Sequence, residues 1–337
     1  MDKKVLRPSV SIIVPVYNVA PYIEECLRSV MHQTYSGSME CLIVDDCSTD
    51  HSIAIAERLI AEYKGSIQFH ILHHEHNRGL SAARNTGTLQ AIGDYLYYLD
   101  SDDEITVDCI ETLMAKVAEH PSVEMVQGNF CRHRLTGEAI YPIKDIQLPV
   151  AVNNDEVRRC YFLYRQMTVN AWNKLLKRSF IISNGISFKE GLLYEDNLWL
   201  FYMLKYLRVA CFTPKITYHQ KKRPNSITTC TGEKTKGYNL CLIYQDILDH
   251  LTPGHEREEF GYYASEVGKA YVKYKILVPE SSDLFRQSWK LCKQYGNRKL
   301  CFILSMAHVL GKYKYGWSVW LFLVRVKHSI KVWKLKV

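Results

Sequence analysis

The 337-residue chain contains no run of about 18 uncharged apolar residues, so the sequence predicts no membrane-spanning helix. Its opening, MDKKVLRPSVSIIVPVYN, sets basic residues before an apolar run. Pro15 and Asn18 interrupt that run and no small-residue cleavage site follows, which argues against a secretory leader. The eleven cysteines, from Cys26 to Cys301, are scattered singly without a CxxC pair or metal-like spacing. That pattern lacks a disulfide framework and argues against a zinc or redox centre; reduced thiols in a cytoplasmic compartment fit it better. No GxGxxG follows Val16, which removes a dinucleotide oxidoreductase. Internal repeats and low-complexity linkers are also missing. Acids are absent from residue 311 onward, where seven Lys or Arg residues stand, so most of the +8 net charge belongs to this tail. A general nucleic-acid binder is a poor fit to a chain whose remainder is nearly neutral.

What is present reads as a globular chain, 47% hydrophobic and 23% charged, long enough for one large domain or two. VSIIVPVY predicts a strand over about Val10–Val16, and YIEECLRSVMHQT a helix with Ile23, Leu27, Val30 and Met31 on one face. ECLIVDD is a second strand, followed by a helix capped by Ser48, Thr49 or Asp50. IQFHILHH is a third strand, SAARNTGTLQAI a helix capped by Ser81, and DYLYYLD a fourth strand. A helix follows over about Val107–Glu119, then a strand at EMVQGNF. NAWNKLLKRSFIISNGISF and YEDNLWLFYMLKYL read as loop–helix segments, VACFTPKITYHQ as extended, KKRPNSITT as a basic loop, and the chain beyond residue 232 as helical. Alternating strands and helices predict an α/β fold with a mostly parallel sheet, helices on both faces and a helical C-terminal extension. Ligands of such sheets sit beyond the strands' carboxyl ends, where Tyr17–Asn18, Asp45–Asp46 and Asp100–Asp102 converge.

The stretch YLYYLDSDDE drives an apolar strand into Asp100, Asp102, Asp103 and Glu104. Packed carboxylates repel one another and resist desolvation, so they need water, donors or a cation. A solvated helix start is the plain explanation. Thr106 can cap the next helix, however, which leaves Asp100 and Asp102 too early to serve it. A hard divalent cation, Mg²⁺ or Mn²⁺, together with a diphosphate, satisfies them.

SIIVPVYN, LIVDDCSTD, NRGLSAARNTG, GDYLYYLDSDD and LYEDNLWL occur in the order and rough spacing of family 2 glycosyltransferases, which this chain resembles over about residues 10–227. The resemblance implies an inverting, nucleotide-sugar-dependent enzyme of the GT-A (Rossmann-like) fold. On it, residues 1–230 form the glycosyltransferase domain, 1–104 the nucleotide half and 105–230 the acceptor half, before a helical extension (231–310) and a basic tail (311–337). Pro15 and Tyr17 would border uracil, Asp46 would accept its N3–H, and Asp45 would be structural. Gly79 would permit close backbone approach, and Arg84 would serve the base or the phosphates. Asp102 would bind the metal, Asp100 the ribose or the metal's water shell, with Asp103 supporting them. Asp196 would be the catalytic base with Glu195 as its helper. Trp172 and Lys174 echo the acceptor-side segment, and Lys221, Lys222 and Arg223 match the loop that closes over the diphosphate. QKKRP approaches the QxxRW of processive synthases but has Pro224 at the last position. Single-sugar transfer from a UDP-sugar to a glycan or lipid-linked acceptor, in cell-surface polysaccharide synthesis, is therefore expected. Two alternatives stay open: a non-catalytic nucleotide-sugar binder, and a sugar-phosphate nucleotidyltransferase, whose Gly-rich phosphate loop is missing. In the tail, Trp317, Trp320, Phe322 and Trp333 alternate with Arg325, Lys327, Lys331 and Lys334. This composition suits a helix lying peripherally on the cytoplasmic membrane face, or a last core-packing helix.

Overall fold

The protein is described by a computed structural model over residues 9–134, 136–223, 231–275, 277–295 and 298–311. It divides into two compact units, Met1–Ser226 and Ile227–Val337. The first unit is built on β1 (Val10–Val16), α1 (Ile23–Met31), β2 (Met39–Asp45), α2 (Ser52–Glu62), β3 (Gln68–His73), α3 (Leu80–Gln90) and β4 (Tyr95–Tyr98). It continues through β5 (Glu104–Ile105), α4 (Cys109–Glu119), β6 (Met125–His133), β7 (Ala139–Ile140), β8 (Val150–Ala151) and α5 (Asn154–Phe162). β9 (Lys174–Lys177), α6 (Arg178–Ser183), α7 (Asp196–Leu204) and β10 (Ala210–Lys221) complete it.

One ten-stranded sheet runs β3-β2-β1-β4-β9-β6-β10-β5, with β7 beside β6 and β8 beside β10. β1 to β4 are parallel; β3 is a partly exposed edge strand, whereas β1, β2 and β4 are fully buried, which is why these three read as unbroken apolar runs rather than alternating ones. Pro15 is tolerated in β1 because the β4 ladder ends at the Ile13–Tyr98 pair, so its missing N–H falls where β1 has a partner on one side only. β9 corrects the sequence reading. KLLK, expected within a loop–helix segment, is an antiparallel strand inserted between β4 and β6.

A second difference concerns α3. Ser81 does not cap it; Gly79 holds the N-cap position with φ 88°, a conformation that glycine adopts without strain. Farther along α3, a Cβ on Gly87 would come within 2.4 Å of the Ile13 side chain, so only glycine lets this helix lie so close to β1. With Ala82 and Ala83 also buried, the close approach carries Arg84 under the sheet's carboxyl edge.

The second unit is helical, comprising α8 (Glu233–Asp249), α9 (Glu256–Tyr274), α10 (Glu280–Tyr295) and α11 (Arg298–Leu310). Ile243, Ile247, Phe260, Val267 and Leu304 are buried, and the Tyr271 and Phe285 rings stack at 4.2 Å. No helix among the described residues is long and apolar enough to cross a membrane. The ten cysteines described are free thiols. The tail reading concerns residues that, past Gly311, lie outside those described.

Candidate active site

Three strand ends and one helix start converge at the sheet's carboxyl edge. β1 delivers Tyr17, which is 47% exposed. Asn18 follows with φ 52°, and its side-chain oxygen accepts the Thr49 N–H at 2.8 Å; the Val19 N–H donates to Ser52 Oγ at 2.8 Å. These bonds tie the Tyr17 turn to the start of α2 and hold the ring at the edge.

β2 delivers Asp45 and Asp46, both buried. Asp45 accepts the Ser48 N–H at 2.8 Å and lies 3.0 Å from His73 Nδ1. Asp46 takes His74 Nδ1 at 2.7 Å and the Arg78 N–H at 2.8 Å on Oδ1, and the Gly79 N–H at 2.7 Å on Oδ2. A carboxylate offers about four lone-pair sites, so one on Oδ2 is left. Gly79 itself faces open space where a Cβ would stand.

β4 delivers the acids. Asp100, Asp102 and Asp103 each place an oxygen within 4.8 Å of the other two. Asp103 is committed inward, accepting the Tyr218 hydroxyl at 2.7 Å and the Lys221 N–H at 2.7 Å. Burial, and then the charges of Asp102 and Asp100, push its pKa well above the usual carboxylate range. Asp102 is also raised by burial and by Asp100, against the pull of Arg223, whose Nε donates to it. Lys221, read from the sequence as part of a loop, is the last residue of β10; its Nζ binds Glu25 at 2.5 Å and also Glu104. Asp100 and Asp102 keep about a quarter and a fifth of their side chains exposed. Their all-oxygen donor set fits a hard divalent cation such as Mg²⁺ or Mn²⁺.

The acids of α7 reach the same place. Tyr194, a non-glycine residue at φ 64°, turns the chain so that Glu195 and Asp196 open the helix facing inward. Such backbone costs of order 1–3 kcal/mol and persists only where its surroundings impose it. Here they are aromatic: Trp199 of α7 stacks on Phe188 at 4.9 Å and meets Tyr98 of β4 edge-on.

Arg84 joins the two sets. Its side chain is 1% exposed, and it donates to Glu195 at 2.6 Å, Asp100 at 2.8 Å and Asp196 at 3.0 Å, with its guanidinium carbon 5.2 Å from the centre of the Phe188 ring. Burial opposes its charge, yet Asp196, Asp100 and Glu195 together raise its pKa above the ordinary value. The sequence resemblance places Arg84 beside the nucleotide; in the fold its fork binds three carboxylates. Burial and the Asp196 charge push Glu195 up to about 7 despite Arg84. Asp196 is raised by burial and by Asp100, against Arg84 and Lys174. Burial also lowers Lys174 to about 7, and its Nζ donates to Thr168 Oγ1 at 3.0 Å. Trp172 is buried, stacked on Tyr218 at 4.5 Å, so it stands behind the site rather than on its surface.

Sequence motifs located Asp100, Asp102, Glu195 and Asp196, and the fold brings all four together. Tyr218 and the fork geometry of Arg84 were missed, because their partners lie 115 and 112 residues away and no local pattern reports such pairings.

Comparison with known proteins points the same way. The model of the family described as "Glycosyl transferase family 2" matches residues 11–173. An uncharacterized glycosyltransferase of Escherichia coli K12, YibD, is 30% identical over 239 residues, covering 69% of this chain and 67% of that protein. Among solved structures, Staphylococcus aureus TarS 1-349 in complex with UDP superposes with TM-score 0.67 at 21% identity, over 89% of this chain and 87% of that one. The mannosyltransferase PcManGT of Pyrobaculum calidifontis, in complex with GDP-Man and Mn²⁺, superposes with TM-score 0.57 at 18% identity, over 96% and 87% of the two chains.

Proposed function

This chain belongs to glycosyltransferase family 2, and on that premise we propose that it moves a single sugar from a UDP-sugar, with inversion, onto a hydroxyl of a glycan or lipid-linked acceptor. One observation carries the reading. The single guanidinium of Arg84 holds Asp100, from the donor-side acids, together with Glu195 and Asp196, so donor and acceptor chemistry share one locus.

In this reading Tyr17, the exposed aromatic at the end of β1, stacks on the base beside Pro15, and the free lone pair of Asp46 Oδ2 accepts the uracil N3–H. Gly79 leaves room for the nucleotide backbone. Asp102 and Asp100 hold a divalent cation, which when bound neutralises charge building on the departing diphosphate. Arg223 and Lys222 add positive charge on the same side. PcManGT, whose structure contains GDP-Man and Mn²⁺, is consistent with a metal, and TarS with a uridine nucleotide.

Asp196 takes the acceptor hydroxyl's proton on an oxygen. Its side chain keeps 16% exposure for that contact. The freed acceptor oxygen attacks the anomeric carbon opposite the bond to the diphosphate; that bond breaks and its electron pair leaves with UDP. Arg84 favours the ionised form of Asp196 and aims it, and Glu195, sharing the guanidinium, orients Asp196 or the acceptor. The proposed role in surface-polysaccharide synthesis and the proposed peripheral membrane contact of residues 312–337 rest on composition and analogy. Screening UDP-sugars for metal-dependent hydrolysis, then acceptors with the active donor, tests the proposal. UDP binding without turnover of any donor would return the chain to a non-catalytic binder.

A further inference from the structure

Away from the acids, strands β6 and β10 bring a second kind of donor set together. Their parallel pairing places His219 beside Cys131 and Lys221 beside His133, after irregular register earlier in β10. Side chains alternate across a sheet, so Cys131 and His133, two residues apart, lie on one face together with His219. His133 Nε2 and His219 Nδ1 stand 3.0 Å apart, and the thiol sulfur and both imidazoles each have a ligating atom within 4.8 Å of the others. Cys131 is buried, while the two histidines reach a cavity of about 680 Å³ lined also by Tyr22, Glu104 and Lys222.

We propose that Cys131, His133 and His219 form a binding site for a borderline transition-metal ion of the zinc type, separate from the carboxylate site. Donor chemistry favours this class: thiolate and imidazole suit zinc, whereas Mg²⁺ and Mn²⁺ prefer oxygen. The spacing also fits. Zinc–sulfur and zinc–nitrogen bonds of about 2.3 and 2.0 Å put the ligand atoms of a tetrahedron roughly 3.3–3.6 Å apart. The imidazole nitrogens must therefore part by a few tenths of an ångström, and the sulfur, within 4.8 Å of both, must close in by up to about 1.3 Å. The cavity leaves the fourth position open to water or to Glu104, the cross-strand partner of His219 on β5. Of the cations lining the cavity, Lys221 is paired with Glu25 and Glu104, Arg223 with Asp102 and Arg134 with Glu138, so their charges oppose the ion less. Binding converts the Cys131 thiol to a thiolate and releases its proton to solvent. Chain spacing alone concealed the site, because its ligands come from two strands far apart in sequence. A bound ion would clamp β6 to β10 at the root of the segment carrying Lys222 and Arg223, giving it a structural role.

The test is a Co²⁺ titration of the full chain after chelator treatment. Sulfur-to-cobalt charge-transfer absorption is read out, followed by displacement with Zn²⁺. Wild type should bind cobalt with that absorption and lose it on adding zinc. Cys131→Ala should lose the band and weaken cobalt binding by more than about 100-fold, beyond the loss expected for an outer-sphere partner. Asp102→Asn should keep both. X-ray absorption of the zinc-loaded wild type keeps the proposal testable if Cys131→Ala fails to fold, with a sulfur and two imidazoles expected around the metal. No charge-transfer band in wild type, an equal band in Cys131→Ala, or an all-oxygen shell would overturn it, leaving only a hydrogen-bonded imidazole pair.

Discussion

Replacing Arg84 by methionine keeps the length and apolar contacts of the side chain but removes the guanidinium that binds Asp100, Glu195 and Asp196. Stripping one partner from a buried ion pair costs about 3–5 kcal/mol, because a charge is left without compensation. Three acids do not triple this figure, since each can take up a proton at about 1.4 kcal/mol per pKa unit. The expected loss is therefore about 3–5 kcal/mol near pH 8. The sign of the pH effect follows from linkage. Without Arg84 the folded-state pKa values of Glu195 and Asp196 rise further above their unfolded values. Stability is then greatest at low pH and falls as pH climbs through the raised values. The deficit relative to wild type should accordingly shrink near pH 5. For a unit of this size about 2–4 °C accompanies each kcal/mol, so near-ultraviolet circular dichroism should show melting lower by roughly 6–20 °C at about pH 8. Arg84→Lys should recover part of the loss through charge but not the fork. A drop below about 2 °C, or one equal at both pH values, would refute the assignment of Arg84 as counter-ion to the three acids.

Asp102→Asn should leave the fold intact and abolish the strengthening of UDP binding by Mn²⁺; equal enhancement in wild type and variant by calorimetry would remove the metal role. Asp196→Asn should lower turnover about 10²–10⁴-fold with donor affinity unchanged, as for loss of a positioned base, and a parallel fall in affinity would make Asp196 a donor ligand. With Glu195 pushed up to about 7 and Asp196 also raised, wild-type kcat should climb as pH rises through about 7 and the acid pair ionises. A flat profile between about pH 5 and 8 would contradict a base held in this pair. Tyr17→Ala should weaken UDP binding by up to about 10-fold, the worth of one aromatic stacking contact, and no change would take the base away from β1.

The alternation of elements, the carboxyl-edge convergence and the acids of the site were legible in the sequence because each is a local pattern. VSIIVPV and YLYY declare buried strands by composition alone, and DSDD and YED stand out as acids against apolar runs. KLLK did not, since four residues with lysines at both ends carry no periodicity; only the gap between β4 and β6 makes them a strand. Nor did the partners of Arg84. A helix position shows which face a side chain shares, but not that Arg84 meets Asp100 across 16 residues and Asp196 across 112. The cap of α3 was misplaced by two residues because Ser81 looked like a better cap than a glycine whose left-handed backbone is invisible in sequence.

The insertion of β9 has a consequence for the order in which the chain acquires its shape. The Arg84–Asp100 pair spans 16 residues, and β1, β2, β3 and β4 assemble from neighbouring segments. Arg84 meets Asp196 only across 112 residues, and Asp103 meets the Lys221 backbone across 118. Loop closure over such separations is entropically costly and slow, so the late strands depend on an early half already in place. A chain emerging from synthesis would thus hold its donor-side acids in a partial sheet well before the acceptor-side acids arrive, with no assembled centre until β10 docks. Pulse-labelling hydrogen exchange should find protection in β1, β2 and β4 ahead of β9 and β10, and simultaneous protection would rule this sequence of events out. The distance along the chain between the two halves of the centre acts as a timer, keeping an incomplete chain inert.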